Sequence, residues 1–473
     1  MIYCSRHPNR ARAETQDIMK TKASFVLLLS ALFALTIYSP SVFAAGTFSV
    51  SCKYSHTKPD DSIVRYGLPG TAMQHDFFGN TGTDAYSDYS TLSANKLTTC
   101  DVSGDVSAYW APQLKRASGI IVPDFAKTYY KNDQPVMPVS PIPPGLQMLA
   151  GDHRGTGPNP QINYLCRGGS GYTTTAPTSC PVVTDSNGTY AQLNISIHFP
   201  DCWNGKDTTP PRMTGSGHTG PMAFIGYMAY RNKDGTCPAD FPVKIPELQM
   251  NIQYSLDQDP DLSTAQLSMD PQFVDGAWVP QWGSLYTAHA DFISAWKEDT
   301  MKYAVDKCSN ANTGCAGNLP TYYSPATADA WISSTGAVSA TDTQLQVGPG
   351  DTILMKFPTP VNTTDYPWSG AKLQTKGQNV TDSSAIMLSL YAAKTDWTET
   401  SPMPQAGDCT QQSIGGIYLD NVDQPRLNDV TNYIRSSIAS GSAMIGICVR
   451  NTTGKTVVFS SREGTYAPAL YLK

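Results

Sequence analysis

The stretch LNISIHF, residues 193–199, decides the fold class, because its apolar residues occupy every second position. Successive side chains of a β-strand point to opposite faces, so this alternation is typical of a strand with one buried face. The same period returns in residues 245–254 and, further along, in residues 343–347 and 443–449. The 37 glycines and 35 prolines of the 473-residue chain indicate many turns. We predict a mainly β protein.

One segment, residues 291–308, has a different period. Its apolar residues recur largely at spacings of three and four, which is the period of an amphipathic helix. Asp291 stands where its side chain could accept a hydrogen bond from the first helical turn. We therefore predict one amphipathic helix near residues 291–308.

The chain is too long for one ordinary hydrophobic core, so two or more domains are expected. Residues 309–325 have the Gly, Asn, Ser and Pro content of a linker or domain edge. We predict a β-rich N-terminal domain at residues 47–319 and a C-terminal domain at residues 326–473. The evenly spaced short strands of the second domain fit a β-sandwich or jelly-roll.

Residues 1–44 have the pattern of a signal peptide. Lys20 and Lys22 precede an apolar run at residues 25–37, and Val42-Phe43-Ala44 provides small residues for cleavage. The run is shorter than the ~20 residues that span a bilayer, so no stable membrane insertion is expected after cleavage. Met19 is a possible true start, and an uncleaved anchor is the alternative. The prediction is a secreted, extracellular protein.

Composition argues against a nucleic-acid partner. Without residues 1–44 the chain has 28 Lys and Arg against 37 Asp and Glu, and no basic cluster remains. Such a chain has no electrostatic footprint for a phosphate backbone.

Ten cysteines remain after the leader is removed, and none lies in a CxxC pair. An even number in an exported chain indicates disulfides rather than a zinc site. The connectivity cannot be deduced from the sequence. We expect pairing between neighbours along the chain: Cys52–Cys100, Cys166–Cys180, Cys202–Cys237, Cys308–Cys315 and Cys409–Cys448.

Six sequence blocks occur in order between residues 62 and 308: HDFFGN (75–80), SAYWAPQL (107–114), FPDCWNG (199–205), HTGPMAF (218–224), CPADFPVKIP (237–246), and HADFISAW with AVDKC (289–296, 304–308). On these blocks the segment resembles the domain of unknown function 1996 family of secreted fungal and bacterial proteins. The resemblance implies no activity, because the family has none assigned.

This chain departs from the family's pattern at three histidines. The family's His-x-His before FFG is Met73-Gln74-His75 here, and two further expected histidines are Pro221 and Phe241. If the family's histidines form a catalytic centre, this copy has lost part of it.

The C-terminal segment resembles the DNRLRE-type carbohydrate-binding modules of family 96. The blocks that carry this resemblance are ADAWISS (328–334), ILMKF (353–357), AKLQ (371–374), TDWTET (395–400) and SREGTYAPALYL (461–472). The resemblance implies a jelly-roll that binds acidic or neutral polysaccharide.

Histidines and aspartates of the N-terminal segment form the candidate catalytic set: His75, Asp76, His218, His289 and Asp291. Imidazole and carboxylate together are ligands for Zn, Mn, Fe or Cu, so a divalent metal is a possible cofactor, with the three histidines as candidate ligands. Without metal, a histidine held by a neighbouring carboxylate can act as a general base. The alternative is a structural role, in which each histidine only stabilises a turn by a hydrogen bond to the backbone.

Four aromatic residues are candidates for stacking on sugar rings. Tyr109 and Trp110 lie in the SAYWAPQL block, and Tyr366 and Trp368 lie in a turn of the C-terminal domain. Trp331, by contrast, is expected to fill the core, and His198 is expected to point into solvent.

Two functions remain open at this stage. The first is a polysaccharide-active or polysaccharide-binding protein, with a polar His/Asp cleft in the N-terminal domain and a C-terminal module that binds a polysaccharide or cell-wall glycan. The alternative is a non-catalytic adhesin or matrix-binding protein. The sequence does not decide whether the chain is an enzyme, and a metal-dependent hydrolase of other substrates lacks a matching motif.

Overall fold

Strands dominate both halves of the chain in the computed structural model, which describes residues 46–132, 136–211, 226–315 and 317–473. The predicted mainly β fold is confirmed. The predicted signal peptide, residues 1–44, lies outside the described residues.

Eighteen strands lie in the described part of the N-terminal half. They are β1 (Thr47–Lys58), β2 (His75–Gly79), β3 (Ala108–Pro112), β4 (Leu114–Arg116), β5 (Gly119–Ile121), β6 (Phe125–Lys131), β7 (Gln147–Gly151), β8 (Ile162–Cys166), β9 (Val183–Asp185), β10 (Gly188–Tyr190), β11 (Gln192–His198), β12 (Cys202–Trp203), β13 (Met228–Ala229), β14 (Val243–Lys244), β15 (Glu247–Ser255), β16 (Gln266–Val274), β17 (Ala277–Gly283) and β18 (His289–Ile293).

Nine of these strands form one antiparallel sheet in the order β7-β18-β3-β2-β1-β6-β15-β11-β8. The twelve-residue β1 lies at the middle of this sheet and links its two sides, since it pairs with β2 on one edge and with β6 on the other. The alternating stretch of the sequence is β11, whose Leu193, Ile195 and Ile197 are buried in the main core. Smaller sheets (β17-β16-β4-β5, β13-β12-β14 and β10-β9) flank it.

The helix predicted at residues 291–308 begins later than expected. Residues 289–293 form strand β18, and the helix α2 spans Glu298–Ala304 before a π-helical turn at Val305–Ser309. Every residue of β18 is buried, because β18 lies inside the sheet with both faces covered. A strand buried on both faces shows no alternation, so its apolar residues mimic a helical period. Asp291 is therefore not an N-cap.

Two other α-helices lie among the described residues, α1 at Tyr89–Ala94 and α3 at Thr431–Ala439, with short 3-10 turns at Leu285–Thr287 and Ala406–Asp408. No helix in this part of the chain combines the length and apolar character that a membrane span requires.

The C-terminal half contains twelve strands in its described residues. They are β19 (Tyr322–Pro325), β20 (Ala328–Ile332), β21 (Val338–Ser339), β22 (Gln344–Val347), β23 (Thr352–Pro358), β24 (Ala371–Asn379), β25 (Ile386–Ala393), β26 (Cys409–Leu419), β27 (Gln424–Asp429), β28 (Met444–Arg450), β29 (Val457–Ser460) and β30 (Ala469–Leu472).

These strands form two antiparallel sheets of six. One has the order β19-β30-β24-β29-β22, with β27 also paired to β24, and the other has the order β21-β20-β23-β28-β25-β26. Leu373 and Phe459 of the first sheet share a buried cluster with Ile353 and Leu390 of the second, so the sheets enclose one core as a sandwich does. β19 belongs to this sandwich although it precedes residue 326.

Five disulfides are formed: Cys52–Cys100, Cys166–Cys180, Cys202–Cys237, Cys308–Cys315 and Cys409–Cys448. They are the five pairs expected from neighbouring cysteines along the chain. Each joins residues within one half, so the two halves are not cross-linked by them.

Hydrogen bonds and shared apolar contacts join the two halves. Thr300 of α2 donates to the carbonyl of Pro320 at 3.0 Å, and Ser103 donates to the carbonyl of Pro367 at 2.7 Å. Trp110 and Ile293 of the N-terminal half belong to the buried cluster that contains the sandwich core. The C-terminal sandwich thus packs directly on one face of the large sheet.

Candidate functional site

Two of the three candidate histidines, His75 and His289, lie on one face of the large sheet. Cross-strand pairing places Asp291 of β18 opposite Trp110 of β3, and Trp110 opposite Phe77 of β2. Side chains two residues apart in a strand share a face. His75 therefore lies on the face of Phe77, and His289 lies on the face of Asp291.

The side chains of His75, His289 and Asp291 meet on this face. Each offers one nitrogen or oxygen atom, and these atoms lie within 4.8 Å of one another. The two imidazole rings are 5.9 Å apart between centroids and nearly perpendicular. All three residues are at most 1% exposed. These three polar side chains, which the sequence identified only as separate candidates, thus form one cluster.

Hydrogen bonds fix which ring nitrogen of each histidine faces the cluster. His75 Nδ1 lies 2.9 Å from the carbonyl oxygen of Asp60, and His289 Nδ1 lies 2.9 Å from that of Thr287. A carbonyl can only accept, so both Nδ1 atoms carry the proton. Both Nε2 atoms therefore present a lone pair, and neither they nor the two Asp291 oxygens have a hydrogen-bond partner among the described residues.

Burial also determines the charge of these groups. It lowers the pKa of His75 and, with the neighbouring His75 ring, lowers the pKa of His289 to about 3. The pKa of Asp291 is raised well above its usual value, first by burial and then by the charge of Asp61. Loss of hydration disfavours every charged form. Both imidazoles are neutral near pH 7, which is the form that binds metal.

Three further residues surround the cluster, and the sequence had not placed them there. Asp61 is buried and accepts backbone hydrogen bonds at 2.8 Å from Ile63 and Val64. The His153 ring lies 6.2 Å from that of His289, and its Nε2 lies 3.9 Å from a carboxylate oxygen of Asp270. Asp270 is 39% exposed and is the end of this group nearest to solvent.

A sequence signal existed for only one of these three residues. His153 lies in the turn GDHRG, a loop histidine of the kind that often carries function. Asp61 has no local motif, and Asp270 lies in strand β16, some 200 residues further along. Only the pairing of distant strands brings them together.

Two members of the predicted site are not part of the described cluster. Asp76 points to the opposite face of β2, where it accepts a hydrogen bond from Thr57 at 2.5 Å and burial raises its pKa to about 6. Alternation along the strand explains this, because Asp76 directly follows His75. His218 lies outside the described residues.

The predicted aromatic platform of the N-terminal domain is buried. Tyr109 is 1% exposed and donates to Asp105 at 2.6 Å, while Trp110 is 0% exposed and packs on Phe77. A ring without an exposed face cannot stack on a sugar, so the prediction for both residues is wrong. They are core residues of opposite faces of β3.

The two C-terminal aromatic candidates also have structural contacts. Tyr366 is buried, with the Lys96 ammonium 4.5 Å from its ring centroid. Trp368 is half-buried beneath the Arg435 guanidinium, 4.6 Å away, beside the sandwich core. Tyr366 therefore serves the contact between the halves, and Trp368 retains only part of its surface for a ligand.

A second polar cluster lies at the other side of the large sheet. His198, expected in solvent, donates to Glu247 at 2.6 Å, and Arg231 bridges Glu247 at 2.5 Å and Asp201 at 3.0 Å. Burial alone raises the pKa of Glu247, but the His198 hydrogen bond and the charges of Lys131 and Arg231 lower it to about 2. Its carboxylate is fully paired, unlike that of Asp291.

Fold and site together define a two-module β protein with a buried His/Asp cluster in its first module. Residues 61–296 match the family described as Domain of unknown function (DUF1996), and residues 320–473 match Carbohydrate-binding module family 96. Both resemblances predicted from the sequence are confirmed. The second match supports glycan binding. Among proteins of curated function, none matches the chain.

Proposed function

We propose that this protein is a secreted, polysaccharide-active protein whose first domain, residues 47–319, holds a divalent metal and whose second domain, residues 326–473, binds the polymer. The observation that carries the metal site is a set of atoms with no hydrogen-bond partner among the described residues: two imidazole Nε2 atoms and both oxygens of Asp291. Unpaired buried polar atoms are costly, and a cation is the partner that all of them share.

The surroundings of both histidines fit metal ligands. A ligating histidine commonly donates its second ring N–H to a backbone carbonyl, which orients the ring, and His75 and His289 both do so. Two imidazoles and one carboxylate suit Zn²⁺, Mn²⁺ or Fe²⁺ and leave coordination positions open. A metal held in this way acts as a Lewis acid or lowers the pKa of a bound water.

Other residues of the chain have supporting roles in this proposal. Asp61 lies beside His75, and its negative charge favours a cation in the cluster. His153 and Asp270 lie between the cluster and solvent, so they are placed to bind or orient a substrate group that approaches from outside. The C-terminal module raises the local concentration of polymer at this domain by tethering.

Export is part of the same proposal. Five disulfides are typical of proteins that fold outside the reducing cytosol, and a glycan-binding module has its polymer there. The signal peptide of residues 1–44 supplies the route. N-terminal sequencing of the exported protein, expected to begin at Ala45, checks this step.

Burial of the cluster favours a second candidate function. His75, His289 and Asp291 are at most 1% exposed, as a structural metal site would be. In that case the protein binds polysaccharide without cleaving it, as an adhesin or matrix-binding protein does, and the metal only stabilises the first domain.

Metal analysis of the whole exported chain, combined with polymer turnover, separates these candidates. We expect about one equivalent of Zn²⁺, Mn²⁺ or Fe²⁺ per chain, since the set is a single site. We also expect chelation to stop product release from a panel of polysaccharides without weakening polymer binding. A chelation that only lowers the melting temperature supports the structural role.

The double variant His75→Ala/His289→Ala tests the ligands, with His198→Gln as the matched control because His198 belongs to the other cluster. The double variant should lose its metal, and the control should retain it. The site is refuted if the double variant and the control hold the same amount of metal. It is also refuted if the parent and both variants hold no metal after reconstitution.

A further inference from the structure

Polar side chains cover the outer face of one sheet of the C-terminal sandwich. Along β22 the buried residues alternate with exposed Gln344 and Gln346. Pairing across the sheet places Gln346 beside Val458, and Val458 beside Gln378. Gln346 and Gln378 thus lie in one row perpendicular to the strands, with Val458 between them, where both could contact one ligand chain.

Two adjoining hollows lie on this face, and both are lined by Thr343 and Gln344. One, of about 400 Å³, extends over β29 and β24. The other, of about 580 Å³, passes over the edge strand β22 to Trp331. Each volume lies in the range of ordinary small-ligand sites. Together they form a groove, which we call the β22 groove, that crosses the strands.

Trp331 gives the β22 groove an aromatic wall. Its ring is half-buried rather than enclosed, and its Nε1 donates to the carboxylate of Asp351 at 3.2 Å. Asp351 also accepts backbone hydrogen bonds from Ser334 and Gly348 at 2.7 Å. The indole is therefore held in place while part of it remains accessible, which is how aromatic residues act at binding surfaces.

The charge of the β22 groove selects among glycans. Its lining contains one lysine and four carboxylates: Lys376, Asp342, Asp351, Asp423 and Glu463. The lysine is already paired with Asp423 at 2.9 Å. A polyanionic chain would meet like charges with no free cation among the described lining residues, whereas sugar hydroxyls can donate to these carboxylates and to the glutamine oxygens.

We infer that the β22 groove binds a single chain of an uncharged polysaccharide, stacked on Trp331 and hydrogen-bonded to Gln344, Gln346 and Gln378. This inference rests on the proposed glycan binding and narrows it to one surface and one ligand class. Trp331, predicted to fill the core, packs against the sandwich core but is half-buried rather than enclosed.

Calorimetric titration of the full chain with soluble polysaccharides tests the inference. The probes are uncharged β-glucan, xylan and mannan, against alginate and polygalacturonate at equal chain length. Trp331→Ala should weaken binding of the uncharged polymer at least tenfold, because stacked aromatic residues dominate such surfaces. Trp278→Ala is the matched control, since that exposed indole lies on β17 of the N-terminal half, and it should change affinity less than twofold.

A second variant distinguishes loss of the binding surface from misfolding of the domain. Gln344→Ala/Gln378→Ala alters one exposed and one half-buried side chain outside the core and should weaken binding severalfold at an unchanged melting temperature. If the parent binds no polysaccharide, the proposed glycan binding fails. If the parent binds but the groove variants bind equally well, or if only the polyuronates bind, this inference fails alone.

Discussion

Two clusters of this molecule look alike by distance and differ in their partners. His75, His289 and Asp291 in the first domain, and Asp329, Glu399 and Glu463 in the second, each place three ligand atoms within 4.8 Å of one another. In the second cluster Arg462 donates to Glu399 at 2.6 Å and also pairs with Glu463. No cation of the described chain contacts the first.

The difference shows that proximity alone does not define a metal site. Four of the six carboxylate oxygens in the second cluster have hydrogen-bond partners, because Arg462 and the backbone supply them. In the first cluster both Asp291 oxygens and both Nε2 atoms lack one among the described residues. Counting partners separates an ion-pair cluster from a site that requires a cation.

The sharpest way to break this comparison is Asp291→Leu. If Asp291 is a ligand, metal affinity should fall by about 100-fold or more, since loss of even a supporting partner costs ~10–100-fold. In the metal-free protein the same change should be neutral or stabilising, because an apolar side chain of similar size replaces a buried carboxyl that has no hydrogen-bond partner among the described residues.

Metal titration and thermal unfolding of the metal-free proteins measure both effects. Asp291→Asn is the size-matched control, which should also bind metal weakly. A metal-free Asp291→Leu protein that unfolds much earlier than the parent would mean that Asp291 has a partner of its own.

The cluster around Glu247 differs from that of Asp291 because its carboxylate is fully paired, so removal of this carboxylate should destabilise the fold. Glu247→Gln leaves Arg231 and Lys131 without this carboxylate, and we expect a loss of about 3 kcal/mol in the free energy of unfolding at pH 7. The pKa of Glu247 is lowered to about 2 in the fold, below its usual value. Its stabilisation is therefore complete above about pH 4.5 and is lost as the pH falls towards 2.

Urea unfolding of parent and variant between pH 2 and 7 measures this dependence. The difference in stability should shrink below about pH 4.5 and be nearly gone at pH 2. An equal difference at every pH would show that the carboxylate charge contributes nothing.

Removal of the cation from the second cluster should make it resemble the first. We expect Arg462→Met to cost about 2 kcal/mol, since three carboxylates are left with fewer donors. Millimolar Ca²⁺, which prefers oxygen ligands, should then restore part of the melting temperature of the variant but not raise that of the parent. A variant that is as stable as the parent without Ca²⁺ would remove Arg462 from this role.

An exposed ion pair should have the smallest effect on the free energy of unfolding. Lys376 and Asp423 form a pair at 2.9 Å with side chains 29% and 48% exposed. Lys376→Ala should change the free energy of unfolding by no more than about 0.5 kcal/mol, because solvent screens such pairs. Chemical denaturation at low and high salt checks this value. A loss as large as that expected for Glu247→Gln would contradict the expectation that buried ion pairs contribute more to stability than exposed ones.

The sequence by itself determined the strand content and the two family resemblances, and it predicted the disulfide partners without fixing them. Period-two patterns such as that of residues 193–199 report which side of a strand is buried, and that is a local property. Cysteine neighbours along the chain were also neighbours in space, because each pair lies within one domain. These features need little knowledge of distant contacts.

Only the tertiary structure decided which polar residues act together. Asp76 directly follows His75, and Asp291 is two residues after His289. Because side chains alternate along a strand, Asp291 shares the face of His289, and Asp76 lies on the face opposite to His75. His153 lies near His289 because β7, which ends just before it, pairs with β18. Trp331 reaches the β22 groove from the other sheet of the sandwich. Periodicity carries no information about that pairing, because register is set by contacts hundreds of residues apart.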